Sequence, residues 1–530
     1  MLSPSAPSRA LRMLLASVLA LLLAACASLP EPPPKGESRA YTDTTDTRIG
    51  KVTQPLVAAH PGLSGARPLI DAREAFVARY VMALGAQRSI DVQTYIWHPD
   101  TSGSLLAQAL WDAAERGVRV RVLLDDANTA GLDPMIATLD AHPNIEIRLF
   151  NPFANRKWRI ADFATDFSRV NRRMHNKSFT ADNQATVVGG RNIGDEYLGA
   201  ETTVAFSDLD VLAIGPVVPQ VSAEFDSYWN SASAWPAGAL LPPAPPAAVA
   251  DVQQYWTRQR AKPESERFLE AVKRLPMLTK MVDGTLALEW VPARVVADDP
   301  RKVLLPPDRT ETHLLPHLEN IFGHPKSELA LISPYFVPGK AAAASMVDMA
   351  GRGVQVRVLT NSLAATDVGP VYSGYVRYRE QLLRGGVHVY ELKPSSQPPR
   401  AAEDDDDIQP RGIAGSRGGG SSSASLHAKT FATDRDRVFV GSFNLDPRSA
   451  ALNTEMGVVL ESPVLASRLS DAFREAIPRD AYEVRLEGSK TVWIEKTPAG
   501  EVKHETTPGV GAMRSLWVGF LSLLAIEWLL

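Results

Sequence analysis

Cysteine is nearly absent: the 530 residues contain one, Cys26. A lone cysteine excludes an intrachain disulfide and any zinc site built on several thiolates. An excess of positive charge is missing too. Lys and Arg number 56 against 60 Asp and Glu, a net charge of −4, so no global basic field of the kind carried by phosphate-backbone binders is present, and nucleic acid is not an expected partner. Disorder on a large scale is excluded, because 45% hydrophobic and 22% charged residues are the proportions of a folded body. The length exceeds one ordinary core and predicts two lobes with tails. At the C-terminus a membrane-spanning run is lacking. Residues 516–530 would reach only about 22 Å as a helix against a hydrocarbon core of roughly 30 Å, and Glu527 interrupts them. Two readings of the 501–530 tail stand: a membrane-interfacial segment with Trp517 and Trp528 in the headgroup zone, or a terminal helix docked on the body.

What is present begins with a leader. Arg9 and Arg12 precede an apolar run, residues 14–25, the charged and apolar regions of a secretory signal. The run ends in Leu23-Ala24-Ala25-Cys26, which resembles the lipobox of bacterial lipoproteins. That resemblance implies a signal peptide over 1–25, cleavage before Cys26 and lipidation of its thiol. Each buried CH₂ of the added chains contributes roughly 0.8 kcal/mol to anchoring. It also implies a cell-envelope location on the periplasmic face of a membrane. The alternative is an uncleaved membrane helix with an incidental cysteine.

The Pro-rich, polar stretch that follows reads as a tether, 26–60. A Pro/Ala-rich break opens at Trp235-Pro236 and marks an interlobe connection over 236–285; a third break, 394–425, holds an acidic run and then a Gly/Ser run and is expected to be mobile. Between these breaks the halves, 61–235 and 286–500, repeat. Strand-like Ser89–Ile96 has its counterpart in Glu328–Phe336. A helical pattern ends at Gly117 in one half and Gly353 in the other, each followed by a β-branched run, and third strands follow at Ile145–Phe150 and Val387–Leu392. Strands alternating with helices predict the α/β class, one such lobe used twice.

Each half carries the same chemical signature. His175, Lys177 and Asp182 stand in His-x-Lys-x4-Asp, and so do His427, Lys429 and Asp434. Strand alternation puts His and Lys on one face, where a phosphoryl group finds a nucleophile or proton carrier beside a cation. Seventeen residues past each His is an Asn, Asn192 and Asn444. Asp208 and Glu455 each lie eight residues before a Pro-Val, and a carboxylate placed there holds an imidazole in one tautomer. Two tripartite matches at equivalent places of a repeat are not an accident of composition.

These paired motifs resemble the HKD signatures of the phospholipase D superfamily, and the wording is similar to bacterial cardiolipin synthases. Gly189-Gly190-Arg191-Asn192-Ile193-Gly194-Asp195-Glu196-Tyr197 resembles their first-motif tail. The runs 173–180, 363–368, 441–449 and 527–530 resemble the cardiolipin synthase C branch in particular. The 394–425 loop is longer than that pattern needs, and a lipobox is not what defines the other branches. The resemblance implies two similar phospholipase D-like lobes, each a mixed β-sheet flanked by helices, with the active site where they meet. It implies phosphatidyl transfer, from phosphatidylethanolamine to phosphatidylglycerol, through a phosphohistidine. His175 would be the nucleophile and His427 the acid/base; the symmetry of the sequence does not distinguish them. Lys177, Lys429, Asn192 and Asn444 would hold the non-bridging oxygens. No metal or other cofactor is implied. For Asp182 and Asp434 a catalytic place and a merely architectural one both stand.

Arg156, Lys157, Arg159, Arg169, Arg172 and Arg173 crowd before the first motif, either to dock lipid headgroups or as a solvated charged face; Trp158 and Phe153 among them suit membrane contact. Competing functions are a hydrolase using water as acceptor, a nuclease, and a scaffold with a relic site. Intact His and Lys in both motifs oppose the last. An accessory protein partner is not legible.

Overall fold

The computed structural model describes residues 29, 35–200, 204–366, 368–394, 423–511, 517 and 522. Cys26 with the leader, most of the 394–425 loop and most of the terminal tail lie outside the described residues, and so do the expectations that fall on them.

Each half forms one large mixed sheet. In the first the order is Glu289–Val291, Ser64–Leu69, Asp210–Ile214, Ala185–Gly189, Ser178–Ala181, Ser89–Thr94, Arg119–Asp125, Ile145–Phe150, Ala234–Pro236. In the second it is Ala293–Ala297, Met456–Leu460, Arg437–Gly441, Lys429–Thr433, Glu328–Ile332, Gln355–Asn361, His388–Leu392, Ala481–Glu487, Lys490–Thr497, Gly500–His504. The orders match strand for strand through the middle, as a repeat requires. In both, three strands run parallel (Ser89–Thr94, Arg119–Asp125 and Ile145–Phe150 in the first) beside an antiparallel wing that carries the motif strand.

Local chemistry explains the pattern. The parallel strands are buried on both faces, so they read as apolar runs: Val120, Val122, Leu123 and Leu124 are all in the core. The helix Thr101–Glu115 starts where the Asp100 side chain accepts the Gly103 N–H. It ends at Gly117, whose φ of 88° matches 91° at Gly353 in the second half, the left-handed turn expected of both glycines.

The lobes share a core. Val188, Val211 and Ala213 from the first sheet pack with Ala330, Val440 and Val458 from the second in a single apolar cluster. The chain crosses between the sheets at Pro292, which separates Glu289–Val291 in one from Ala293–Ala297 in the other. The 236–285 stretch is not a bare connection: it folds into helices Ala248–Arg260, Pro263–Lys273 and Pro276–Val282, whose Trp256, Phe268 and Met277 complete the core of the first lobe. Within the expected tether, residues 48–58 form a helix, and the extended chain before it is bonded to the first lobe, for example through the Ala40 N–H to Asp226 and the Ser38 carbonyl to Arg121. Residues 501–504, placed by sequence in the apolar tail, belong to Gly500–His504, the edge strand of the second sheet. In the three helices the polarity that suggests a linker lies on the outer face, while the inner face packs. Among the described residues, no helix is long and apolar enough to cross a membrane.

Candidate active site

The motif strands Ser178–Ala181 and Lys429–Thr433 are central in their sheets, and their leading ends meet at the lobe interface. Backbone bonds between lobes set that meeting. The His175 N–H donates to the Thr454 carbonyl at 2.8 Å, and the Thr454 N–H returns to the Arg173 carbonyl at 2.9 Å. Reciprocally, the His427 and Ala428 N–H groups donate to the Ser207 carbonyl at 2.8 and 2.9 Å. Val204–Ser207 and Ser423–Leu426 pair as a small parallel sheet across the interface.

This clamping delivers each carboxylate to the histidine of the other lobe. His427 Nδ1 lies 2.5 Å from Asp208 Oδ2. His175 Nδ1 lies 3.2 Å from Glu455 Oε1, an electrostatic contact at an angle short of an aligned hydrogen bond. A carboxylate only accepts, so the Nδ1 beside it carries the proton and Nε2 is left to face the reacting group. Tyr95 sets its ring edge-on to His175 at 4.3 Å between centroids, and Tyr197 does the same to His427 at 5.2 Å. Lys177 Nζ donates to the His175 carbonyl at 2.5 Å, and Lys429 Nζ to the His427 carbonyl, so each lysine is folded back beside its own histidine. Both lysines are buried, while each imidazole keeps a small accessible edge, 16% for His175 and 13% for His427.

Two lysine cations and two carboxylates share this enclosed space. Burial, and then the cations Lys177 and Lys429, push the His175 imidazole down to about 4, against the pull of Glu455. His427 is lowered by burial and Lys429. Lys177 falls to about 8, chiefly through burial. Burial alone would raise the carboxyls; the imidazole opposite and the lysines hold Asp208 and Glu455 below their usual range. Imidazoles lowered toward the neutral form beside the Lys177 ammonium are an arrangement suited to an anion with a phosphorus to attack.

A family described as "Cardiolipin synthase, PLD-like domain" matches residues 82–229 and 318–477, which together take in both motifs. The chain belongs to this family. Cardiolipin synthase C of Escherichia coli (strain K12) is 45% identical over 486 residues, 91% of this chain and 100% of that protein. An uncharacterized protein of Helicobacter pylori (strain ATCC 700392 / 26695) is 31% identical over 499 residues, 91% of this chain and 92% of its own. The crystal structure of phosphatidylserine synthase from Haemophilus influenzae Rd KW20 matches with a TM-score of 0.55 at 12% identity, covering 91% of this chain and 99% of that one, a likeness of fold.

Of the residues singled out by sequence, this phospholipase D-like centre brings together His175, Lys177, His427, Lys429, Asp208 and Glu455. Asn192 and Asn444 are buried in the loops that follow the motif hairpins. Asn192 Oδ1 accepts the Ile96 N–H at 3.2 Å, which leaves its NH₂ as the donating end. Asp182 and Asp434, for which a catalytic and an architectural place both stood, lie apart from this centre. They lie at the far end of the motif strands, seven residues or about 20 Å of extended chain from the histidines. Each sits at positive φ, 51° and 52°, in a tight turn. The Asp182 carboxylate accepts the N–H groups of Gln87, Arg88 and Ser89, and Asp434 those of Lys326, Ser327 and Glu328. Their work is to tie the motif hairpin to the neighbouring strand.

The basic cluster is likewise mostly internal. Arg156 and Arg159 pair with Asp126 and Asp133, Arg169 with Asp166, and Arg172 and Arg173 donate to backbone carbonyls. Lys157 and Trp158 are exposed, whereas Phe153 is buried beneath them and faces no solvent.

Several residues escaped sequence reasoning. Ser442 and Ser449 hydroxyls donate to Glu455 at 2.5 and 2.7 Å. Behind them the buried pair Asp298–Lys302, 2.9 Å apart, holds the Glu455 N–H on Asp298 Oδ2 and the Ser449 carbonyl on Lys302. Asp125 accepts the Met174 N–H at 2.7 Å just before the first motif. The two serines follow the motif closely enough to have been found; Asp298 and Lys302 lie over 120 residues upstream of the second motif with no pattern to mark them. One cluster of metal-ligand type exists among the described residues, His98, Asp100 and Glu196. Asp100 there accepts the Gly103 and Asp195 N–H groups and serves as a helix cap.

Proposed function

We propose that the protein is a cardiolipin synthase that moves a phosphatidyl group from phosphatidylethanolamine to phosphatidylglycerol through a phosphohistidine. The observation that carries the reading is the paired His–Lys centre at the lobe interface, each imidazole held by a carboxylate of the opposite lobe. The 45% identity to cardiolipin synthase C over nearly the whole chain supports the substrate class.

His175 Nε2 attacks phosphorus; the bond to the headgroup oxygen breaks, and His427 gives that oxygen its proton, releasing ethanolamine. A glycerol hydroxyl of phosphatidylglycerol then loses its proton to His427 and attacks phosphorus, and the N–P bond breaks to give cardiolipin. Covalent capture splits one difficult displacement into two. Lys177, Lys429, Asn192 and Asn444 hold the non-bridging oxygens while charge develops on them. The bound phosphodiester also offsets the two lysine charges, and so lets His427 take up the proton it must deliver. The substrates are bilayer lipids, and an acylated Cys26 would keep the lobes at the periplasmic face of the inner membrane.

The experiment is lipid product analysis with purified full-length protein and a His175→Ala control. Cardiolipin formed only when both lipids are supplied, and lost in the variant, is the expected result. Phosphatidic acid in place of cardiolipin would make the protein a hydrolase of the same fold. Incorporation of a palmitate analogue at Cys26 tests the anchor; no label would overturn it.

A further inference from the structure

Large apolar side chains are exposed at only a few places among the described residues, and four of them fall within ten residues. Trp158, Ile160, Phe163 and Phe167 are 49%, 66%, 42% and 38% exposed. They occupy the turn and two short helices, Ile160–Thr165 and Phe167–Val170, that lead directly into the first motif. A fifth, Leu304, is 50% exposed and joins them from the other lobe, since Arg172 Nη1 donates to the carbonyls on both sides of it, Val303 at 3.4 Å and Leu305.

The protrusion is held firmly rather than left to hang. Asn151 Nδ2 donates to the Arg169 and Arg172 carbonyls at 2.9 and 2.7 Å. The Asp162 carboxylate turns inward to the Ala154 N–H at 2.6 Å. The rings of Phe153, Phe163 and Phe167 follow one another at 5.7 and 6.4 Å, with the buried Phe153 as the root. A fold that spends this much bonding to hold apolar side chains in water presents them to something. The charge around them says what. Residues 151–173 carry six cations and two carboxylates; Asp125, Asp126 and Asp133, which pair with Arg173, Arg156 and Arg159, bring the balance to six to five, and the exposed cation beside Trp158 is Lys157. Apolar and aromatic tips within a cationic base are the pattern of an interfacial segment on an anionic bilayer.

We infer that residues 157–167 and Leu304 are the surface by which this protein enters the headgroup zone of an anionic phospholipid bilayer, so that the cleft between the motifs opens onto lipid. The inference rests on the phospholipid-substrate reading for its purpose, and on the exposed side chains and their charge for its place. It is distinct from the leader and the terminal tail.

Two measurements on the full-length chain test it. A nitroxide at Ile160→Cys, with Cys26 as the single native background, should gain oxygen collisions and lose contact with an aqueous nickel chelate when phosphatidylglycerol vesicles are added. A label at Val282→Cys, 64% exposed on the outer helices, should not. Change at both positions, or at neither, overturns the surface. The variant Ile160→Asp/Leu304→Asp should lose about tenfold or more of its turnover of vesicle lipid. Turnover of short-chain phosphatidylglycerol dispersed below its micelle concentration should stay close to the parent's. Equal loss on both substrates overturns the inference, as does no loss on either. If the parent turns over neither, the functional reading fails and the labels alone decide the surface.

Discussion

The two lobes solve one problem with different parts. The first supplies Asp208 to His427, the second Glu455 to His175. The shorter carboxylate reaches its partner because Gly190 leaves it room: a Cβ there would lie 2.3 Å from Asp208 Oδ1. The position equivalent to Gly190 is Ser442 in the second lobe, and its hydroxyl donates to the longer Glu455. Asp208 is braced by the Leu209 N–H alongside its imidazole, Glu455 by two serine hydroxyls. A duplicated scaffold thus holds backbone geometry constant while one methylene and one hydroxyl are exchanged. The difference teaches that the imidazole–carboxylate contact is what the repeat preserves.

The strongest test of equivalence is loss of each histidine. His175→Ala and His427→Ala should each reduce phosphatidyl transfer by about 10³-fold or more. Only His427→Ala should still form a phosphoprotein from a substrate whose leaving group needs no proton, as read by radiolabel trapping. Equal trapping in both variants would erase the assigned roles.

Next in size are the carboxylates. Asp208→Asn and Glu455→Gln should each cost about 10- to 100-fold in kcat/KM. Lys177 has its pKa near 8, so kcat/KM should fall as pH rises through that value and the ammonium is lost. Glu455 raises Lys177, so in Glu455→Gln the basic limb should move to lower pH; a pH–rate profile checks the sign. Asp208 also raises Lys177, but by less, so Asp208→Asn should move the limb in the same direction and less far; a larger shift from Asp208→Asn than from Glu455→Gln would mean that the carboxylates serve their own lobes.

The supporting positions sharpen the comparison further. Gly190→Ala should displace Asp208 and approach the effect of Asp208→Asn, while Ser442→Ala removes one hydrogen bond and should cost about 0.5–1.5 kcal/mol of transition-state stabilisation. Steady-state kinetics on both variants ranks them. The smallest catalytic effect belongs to the motif aspartates. Asp182→Asn should lower stability by about 1–3 kcal/mol in denaturant unfolding, with activity per folded molecule retained. Asp434→Asn should lower it less, its carboxyl being more accessible. A large kcat loss in either would return them to the catalytic set.

Much of this was legible from residues in line. The repeat, the parallel strands and the glycine turns follow from periodicity and apolar runs, which report burial directly. The motif spacing placed His and Lys together because strand geometry is local. Asp182 and Asp434 share a motif with the histidines but not a place, since an extended strand carries them away. The 236–285 stretch looked like a connection because its helices show a polar face to water. Asp298 and Lys302 left no signal, because their partners are distant in sequence.

By itself the sequence determined that there are two halves and that each carries one histidine, one lysine and one eligible carboxylate, a set suited to a phosphoryl group; short-range pattern is enough for that. Which carboxylate serves which histidine was decided only by the tertiary structure. Backbone bonds from Thr454 to the first motif and from Ser207 to the second cross between the lobes, and they deliver each acid to the opposite imidazole. No spacing along a single chain encodes that exchange, because it exists only once two separately folded sheets are pressed together.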